Sequence, residues 1–188
     1  RKITNFCIEN TIPLHYISTI SVSGYGLVSS PNTIFTEKDF YIGQNYEDNV
    51  YVKSKFEAEK LILNACKNND LCATIYRIGN ITNRFSDGVF QQNAKENAFL
   101  NRISAVINLH CIPEQLLRFP IEFTPVDYCA NFIVSLLTND IRQNNLTIYH
   151  LFNQNYLDFN YLIEFLKKNN INVKTCSIED FENLVLNS

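Results

Sequence analysis

Tyr51 and Lys55 stand four residues apart in Tyr51-Val52-Lys53-Ser54-Lys55. On a helix that spacing puts both side chains on one face, a turn apart. An ammonium beside a phenol favours the phenolate, which makes such a pair a usable proton donor or acceptor near neutral pH. The same spacing also describes an amphipathic helix with an incidental pair, so its meaning depends on context. Upstream, an apolar run ends in Ser18-Thr19-Ile20-Ser21-Val22. In open parallel α/β sheets, ligands bind beyond the carboxyl ends of the strands. A hydroxyl there can hydrogen-bond a carbonyl oxygen whose charge grows during reduction. Thr19 and Ser21 alternate with apolar residues and can point the same way, or both can serve the main chain in a turn. Downstream, a second run ends in Arg77-Ile78-Gly79-Asn80. A glycine there lets the main chain approach a flat ring closely, or closes an ordinary strand-end turn.

The elements that must position these residues alternate in type. Ile3–Glu9 reads as a helix tail, and Leu14–Ser18, after Pro13, as a buried strand. Thr19–Asn45 contains Gly24, Gly26, Pro31 and Gly43 and little periodicity, so it is a long loop of the kind that usually carries function. Asn49–Lys67 is a strong helix, with Val52, Phe56, Leu61, Ile62, Ala65 and Cys66 on one side and Asp48 or Asn49 as its cap. Ala73–Arg77 is a strand. Ile78–Gln92 is irregular, with an Asp87-Gly88 turn signal. Helices follow at Ala94–Leu109 and Val126–Leu137, separated by a short strand at Ile121–Phe123. Pro125 suits a helix entrance. Thr147–Phe152 is a strand, Asp158–Lys168 an Asp-capped helix and Asn172–Thr175 a short strand. The last helix, Ile178–Leu186, is opened by Ser177 with Asp180 three residues on. Strand and helix in alternation predict an α/β fold with a mostly parallel sheet flanked by helices.

Composition narrows the partners. The chain has 188 residues, 46% hydrophobic and 19% charged, enough for one domain with a real core. Its formal charge is −3, with no basic block, which argues against nucleic acid or an anionic membrane as the main partner. No apolar stretch approaches the length of a bilayer span. The basic start, Arg1-Lys2, lacks the apolar region of a signal peptide. There is no Met, even at position 1, so the chain reads as a piece of something longer. Its five glycines form no dinucleotide or Walker loop; Gly24-Tyr25-Gly26 comes nearest, with Ser29 where a third glycine is needed. The six cysteines have no C-x-x-C spacing and do not cluster with the three histidines, so they read as reduced core thiols of an intracellular protein with no metal site.

Taken in order, the stretch from Leu14 to Gly24, the Tyr51/Lys55 helix and Tyr76-Arg77-Ile78-Gly79-Asn80-Ile81-Thr82 resemble the extended short-chain dehydrogenase/reductase superfamily. More closely they resemble the terminal thioester reductase domains of nonribosomal peptide synthetases. Arg84–Gly88, Glu96–Phe99 and Ile121–Tyr128 are also similar to that group, and the resemblance runs from about Phe6 to Asn155. It implies a Rossmann-like fold truncated at its start, lacking the N-terminal nucleotide-binding strands. It also implies one partial domain: residues 1–92 as the later half of the Rossmann-like core with the active-site loops, and residues 93–188 as substrate-side helices and closing strands. By position it makes Thr19, Tyr51 and Lys55 the catalytic set, and Ser18, Tyr51, Lys55, Ile78, Gly79, Asn80 and Ile81 the cofactor-binding set. Asp127 matches an acidic residue at a helix start, read as a cap.

The implied cofactor is NADPH. The implied partner is an acyl or peptidyl carrier domain bearing a phosphopantetheine arm, in the same cytoplasmic polypeptide. The thioester would enter near the loops at 36–49 and 84–93, be reduced to an aldehyde or onward to an alcohol, and meet walls drawn from Phe90, Phe99, Leu100 and Ile103, residues that equally suit a core. Two alternatives stay open: a nucleotide-sugar epimerase or hydroxysteroid dehydrogenase of the same superfamily, with Arg84, Arg102 and Arg118 available for a diphosphate, and a non-catalytic α/β fragment unable to bind cofactor.

Overall fold

The computed structural model describes residues 2–24, 33–138 and 145–187. Gly26, Ser29 and Pro31 of the expected long loop lie outside them. The first half of the chain contains α1 (Lys2–Glu9), β1 (Leu14–Thr19), α2 (Val50–Asn68), β2 (Ala73–Ile78) and β3 (Ile81–Thr82). Then follow α3 (Ala98–Leu109), β4 (Cys111–Pro113), β5 (Pro120–Ile121), β6 (Thr124–Pro125) and α4 (Val126–Thr138). The chain closes with β7 (Leu146–Leu151), β8 (Leu157–Asp158), α5 (Phe159–Lys168), β9 (Lys174–Cys176) and α6 (Ile178–Leu186). Two compact units result: Arg1–Ile81 with Val126–Phe152, and Thr82–Pro125 with Asn153–Ser188.

The first unit is a parallel three-stranded sheet in the order β1-β2-β7, as the alternating pattern predicted. Parallel neighbours need crossover connections, and α2 and α4 supply them. Central β2 has Ala73, Ile75, Tyr76, Arg77 and Ile78 buried, which fits a strand covered on both faces. Its alternation splits the core in two. Ala73 and Ile75 pack with Ile62, Ala65 and Cys66 of α2 and Cys7 of α1. Tyr76 and Ile78 pack with Cys129, Ile133 and Leu136 of α4. β1 is less buried than its sequence suggested, with Ile17 44% exposed, because among the described residues it has a strand partner on one side only.

Helix α2 is where expectation and structure differ most usefully. Asn49 caps it, its Oδ1 accepting from the Tyr51 and Val52 amides at 3.0 and 3.1 Å. Val52, Phe56, Ile62, Ala65 and Cys66 are buried as expected, but Leu61 is exposed and Glu59 takes an inward position with no exposed surface. The expected loop after Thr19 opens with a 3₁₀ turn at Ile20–Ser23.

The second unit holds α3, the parallel pair β4/β9, the antiparallel pair β5/β8, α5 and α6. Val106, Ile112, Ile163, Leu166 and Val173 form its core. The helix expected over 94–109 is a 3₁₀ turn at Ala94–Glu96 followed by α3, because Asn97 breaks the run and caps α3 through Leu100 N at 2.9 Å. Of the strand expected at 121–123 only Ile121 is in a strand, β5, while Glu122 and Phe123 link it to β6; the one expected at 172–175 runs from Lys174 to Cys176. Asp158 and Ser177 cap α5 and α6 as predicted, and Asp180 accepts from the Ser177 hydroxyl at 2.8 Å. Asp127 lies within the first turn of α4 instead of before it. No disulfide joins the described cysteines; Cys7, Cys66, Cys111 and Cys129 are buried. Among the described residues no helix is long and apolar enough to cross a membrane, and no cluster of ligating side chains could hold a metal ion.

Candidate active site

The carboxyl ends of β1 and β2 and the first two turns of α2, all in the first unit, carry or adjoin the expected residues. Tyr51 and Lys55 share a face of α2, with the Lys55 ammonium 5.9 Å from the centre of the Tyr51 ring. Tyr51 is 55% exposed, so its phenol is reachable. Lys55 Nζ donates to the Ile17 carbonyl at 2.9 Å and lies 5.3 Å from the centre of the Tyr16 ring. The amine therefore links the helix to the strand two residues before Thr19. Burial raises the Tyr16 phenol pKa above its ordinary value, with the Glu59 carboxylate and Tyr51 adding to the effect.

Thr19 ends β1 and caps the 3₁₀ turn. Its Oγ1 accepts from the Ser21 amide and donates to the Ser21 hydroxyl, both at 3.2 Å. The two hydroxyls thus meet as the alternation suggested, and they also serve the turn. Gly24 follows with φ +67°, and its Cβ position is filled from outside: a methyl there would lie 2.9 Å from Gln44 Cγ and closer still to the Asn45 carbonyl. The glycine is required for packing against the 44–45 segment. The buried Gln44 completes the contact by donating to the Val22 and Phe40 carbonyls at 3.1 and 2.7 Å.

The expected cofactor set divides. Gly79 and Asn80 form the bend after β2, with Asn80 exposed, Gly79 and Ile81 half-buried, and the Gly79 amide donating to the Leu151 carbonyl at 2.9 Å. Ile78 is buried in the α4-side core. Ser18 is also turned inward: it is 4% exposed and donates to Glu59 Oε1 at 2.5 Å. Its hydroxyl is committed to the interior and is not presented at the site.

Beneath the site lies a charged cluster that the sequence reading missed. Strand register aligns Ser18, Arg77 and His150 in one row across β1, β2 and β7. Arg77 and Glu59, both without exposed side-chain surface, form an ion pair at 2.8 Å, with Arg77 Nε also donating to the carboxylate. Arg77 Nη1 reaches the Thr36 carbonyl at 3.4 Å and His150 Nε2 at 3.2 Å. The signal was present: Glu59 and Arg77 are opposite charges set in otherwise apolar faces, and buried charges are paired.

These residues fit the nicotinamide end of a dinucleotide: an exposed phenol, an amine at a strand end, and an exposed residue, Asn80, just past the end of β2. Among the described residues they do not offer a phosphate cradle: the Cβ position of Gly24, at the strand tip with positive φ, is filled by the chain's own 44–45 segment.

Residues 1–133 match the male sterility protein family, an NAD-binding family. A thiolation-reductase di-domain from an archaeal non-ribosomal peptide synthetase is 32% identical with a TM-score of 0.80, covering 96% of this chain and 48% of that one. The Aureusimine biosynthetic cluster reductase domain is 30% identical with a TM-score of 0.76, covering 99% of this chain and 48% of that one. A UDP-N-acetylglucosamine 4-epimerase from Methanobrevibacter ruminantium M1 is 18% identical with a TM-score of 0.65, covering 94% of this chain and 54% of that one, and shares the fold. The chain spans about half the length of these structures. No curated protein sequence matches it significantly.

Proposed function

The chain belongs to the male sterility protein family, within the extended short-chain dehydrogenase/reductase superfamily, and from that premise we propose that it is the later part of a reductase that releases a carrier-bound acyl or peptidyl thioester as an aldehyde, using NADPH. The observation that carries this reading is the 2.9 Å bond from Lys55 to the Ile17 carbonyl, which holds the Tyr51 face of α2 against the strand that ends in Thr19. Bound NADPH supplies the hydride that the thioester carbonyl carbon accepts.

The chain's own residues then handle one oxygen and one proton. Thr19 and Tyr51 hydrogen-bond the carbonyl oxygen as it becomes negative. The Thr19 bond to Ser21 is long, at 3.2 Å, and is exchanged for one to this oxygen. Tyr51 gives up its proton, and the Lys55 ammonium stabilises the negative charge left on the phenol oxygen. Lys55 spends one of its three donors on Ile17 and keeps two for the ribose hydroxyls. Gly79 and Asn80 flank the nicotinamide with main chain. Loss of the pantetheine thiol from the resulting hemithioacetal yields the aldehyde, and a second reduction gives an alcohol. The likeness to a thiolation-reductase di-domain supports a carrier domain as the partner that presents the thioester.

The test uses the intact parent domain with NADPH and a simple acyl-pantetheine thioester, followed by nicotinamide absorbance. Tyr51→Phe is expected to abolish turnover, and full NADPH oxidation by that variant would refute the assigned role. Turnover of a nucleotide sugar in place of the thioester assigns the protein to the epimerase reading. Calorimetry with NADPH on the 188-residue chain decides whether this part alone binds cofactor.

A further inference from the structure

We propose that His150 is a positioning residue: through Arg77 it fixes the Phe35–Asp39 segment at the carboxyl end of the sheet, and it does so only as the neutral imidazole. Its bearing on catalysis rests on the reading above; its bearing on the segment does not.

The argument starts from donor counting. A guanidinium has five N–H donors and accepts nothing. Arg77 spends Nε and Nη2 on Glu59, and Nη1 on the Thr36 carbonyl and His150 Nε2. The contact at 3.2 Å is a hydrogen bond only if Nε2 carries a lone pair, so the His150 proton sits on Nδ1. Phe35 stacks on both partners: its ring is 5.8 Å from the His150 ring at an interplanar angle of 7°, and 4.8 Å from Arg77 Cζ. One segment is thus held by a carbonyl bond at Thr36 and a ring contact at Phe35, both on the Arg77–His150 pair.

Protonation reverses the contact. With both ring nitrogens donating, Nε2–H faces Nη1–H and one cation faces another. A second acceptor is ready: Glu37 Oε1 lies 3.9 Å from Nδ1, in the same segment, with half its side chain exposed. The charged groups around the imidazole are Arg77 on β2, Glu59 on α2, and Glu37 and Asp39 on the segment, with Phe152 beside the ring. Burial pushes the His150 pKa below its ordinary value and Arg77 adds to this, while Glu37, Glu59 and Asp39 oppose it. The folded chain therefore holds His150 neutral at neutral pH. Stability linked to this group is present above the unfolded-state pKa of about 6.5 and falls as pH drops toward the folded value. Across the same interval His150 exchanges Arg77 for Glu37, and the hold of Arg77 on the Thr36 carbonyl loosens.

The test follows the three histidines by proton NMR in the full chain, with His15→Gln and His110→Gln for assignment, beside amide hydrogen exchange of residues 36–39. His150 is expected to titrate below about 6.5, and exchange of the segment to rise about tenfold beyond its intrinsic pH dependence through that titration, the effect of one lost charge-assisted hydrogen bond. His150→Gln offers an amide oxygen in place of Nε2 and should keep the protection while abolishing the pH step. His150→Leu should lose the protection at every pH, with β2 amides of Ile75 and Tyr76 still protected to show that the sheet is folded. Full protection of 36–39 in the Leu variant, or a pH step that survives in the Gln variant, overturns the proposal. A segment that loosens as described without any change in KM for the thioester leaves the positioning intact and counts against the catalytic reading instead.

Discussion

Replacing Arg77 with methionine isolates the energetic role of the buried pair. The side chain has no exposed surface and neither does Glu59, which would be left with a single hydroxyl donor, Ser18. Removing one partner of a buried ion pair costs about 3–5 kcal/mol, because the remaining charge is stranded. The Thr36 bond, at 3.4 Å, adds at most about 1 kcal/mol. Arg77→Met should therefore lower stability by about 4 kcal/mol, or about 8–16 °C in Tm for a chain of this size. Arg84 provides the internal control: its 2.6 Å pair with Asp87 leaves both side chains nearly half exposed, so Arg84→Met should cost under about 1 kcal/mol. Urea unfolding with equal m-values reads both. The pair Glu59→Leu/Arg77→Met removes both charges and should be more stable than Arg77→Met alone, an excess that the double-mutant cycle reports as coupling. If Arg77→Met costs no more than Arg84→Met, the carboxylate is not stranded and the reasoning fails.

Asn49→Ala removes the acceptor that caps α2 through the Tyr51 and Val52 amides, and should cost about 1 kcal/mol by urea unfolding. Gly24→Ala places a methyl against Gln44 and Asn45 at φ +67°, and should cost about 1–3 kcal/mol by the same measurement; an unchanged midpoint would show that the 44–45 segment yields freely.

Elements with local signatures were legible in the sequence. Asn49, Asp158 and Ser177 cap where their types suggest, and the Tyr51/Lys55 spacing lands both on one face because a helix leaves no choice at i, i+4. What escaped was set by register and long-range packing. The resemblance puts Ser18 in the cofactor set, but strand alternation sends it and Thr19 to opposite faces, both of them buried, and only the Glu59 partner shows that the Ser18 hydroxyl is spent in the interior. His150 sits in Tyr149-His150-Leu151 with nothing nearby to mark it; its partner is 73 residues away. Leu61 lies off the inward stripe of Val52, Phe56, Ile62 and Cys66, and the same stripe carries Glu59 to the Arg77 guanidinium. Gln44 has no signal beyond being a turn residue, yet it binds two carbonyls across the loop.

The row Ser18–Arg77–His150 also works as a key for strand alignment. A slip of β2 by one residue would swing the guanidinium to the face where Tyr76 and Ile78 now meet Cys129, among apolar side chains with no counter-charge. Misaligned sheets are thereby made far costlier than a lost apolar contact would make them. A three-stranded sheet this small acquires a single permitted alignment from one transverse line of polar groups.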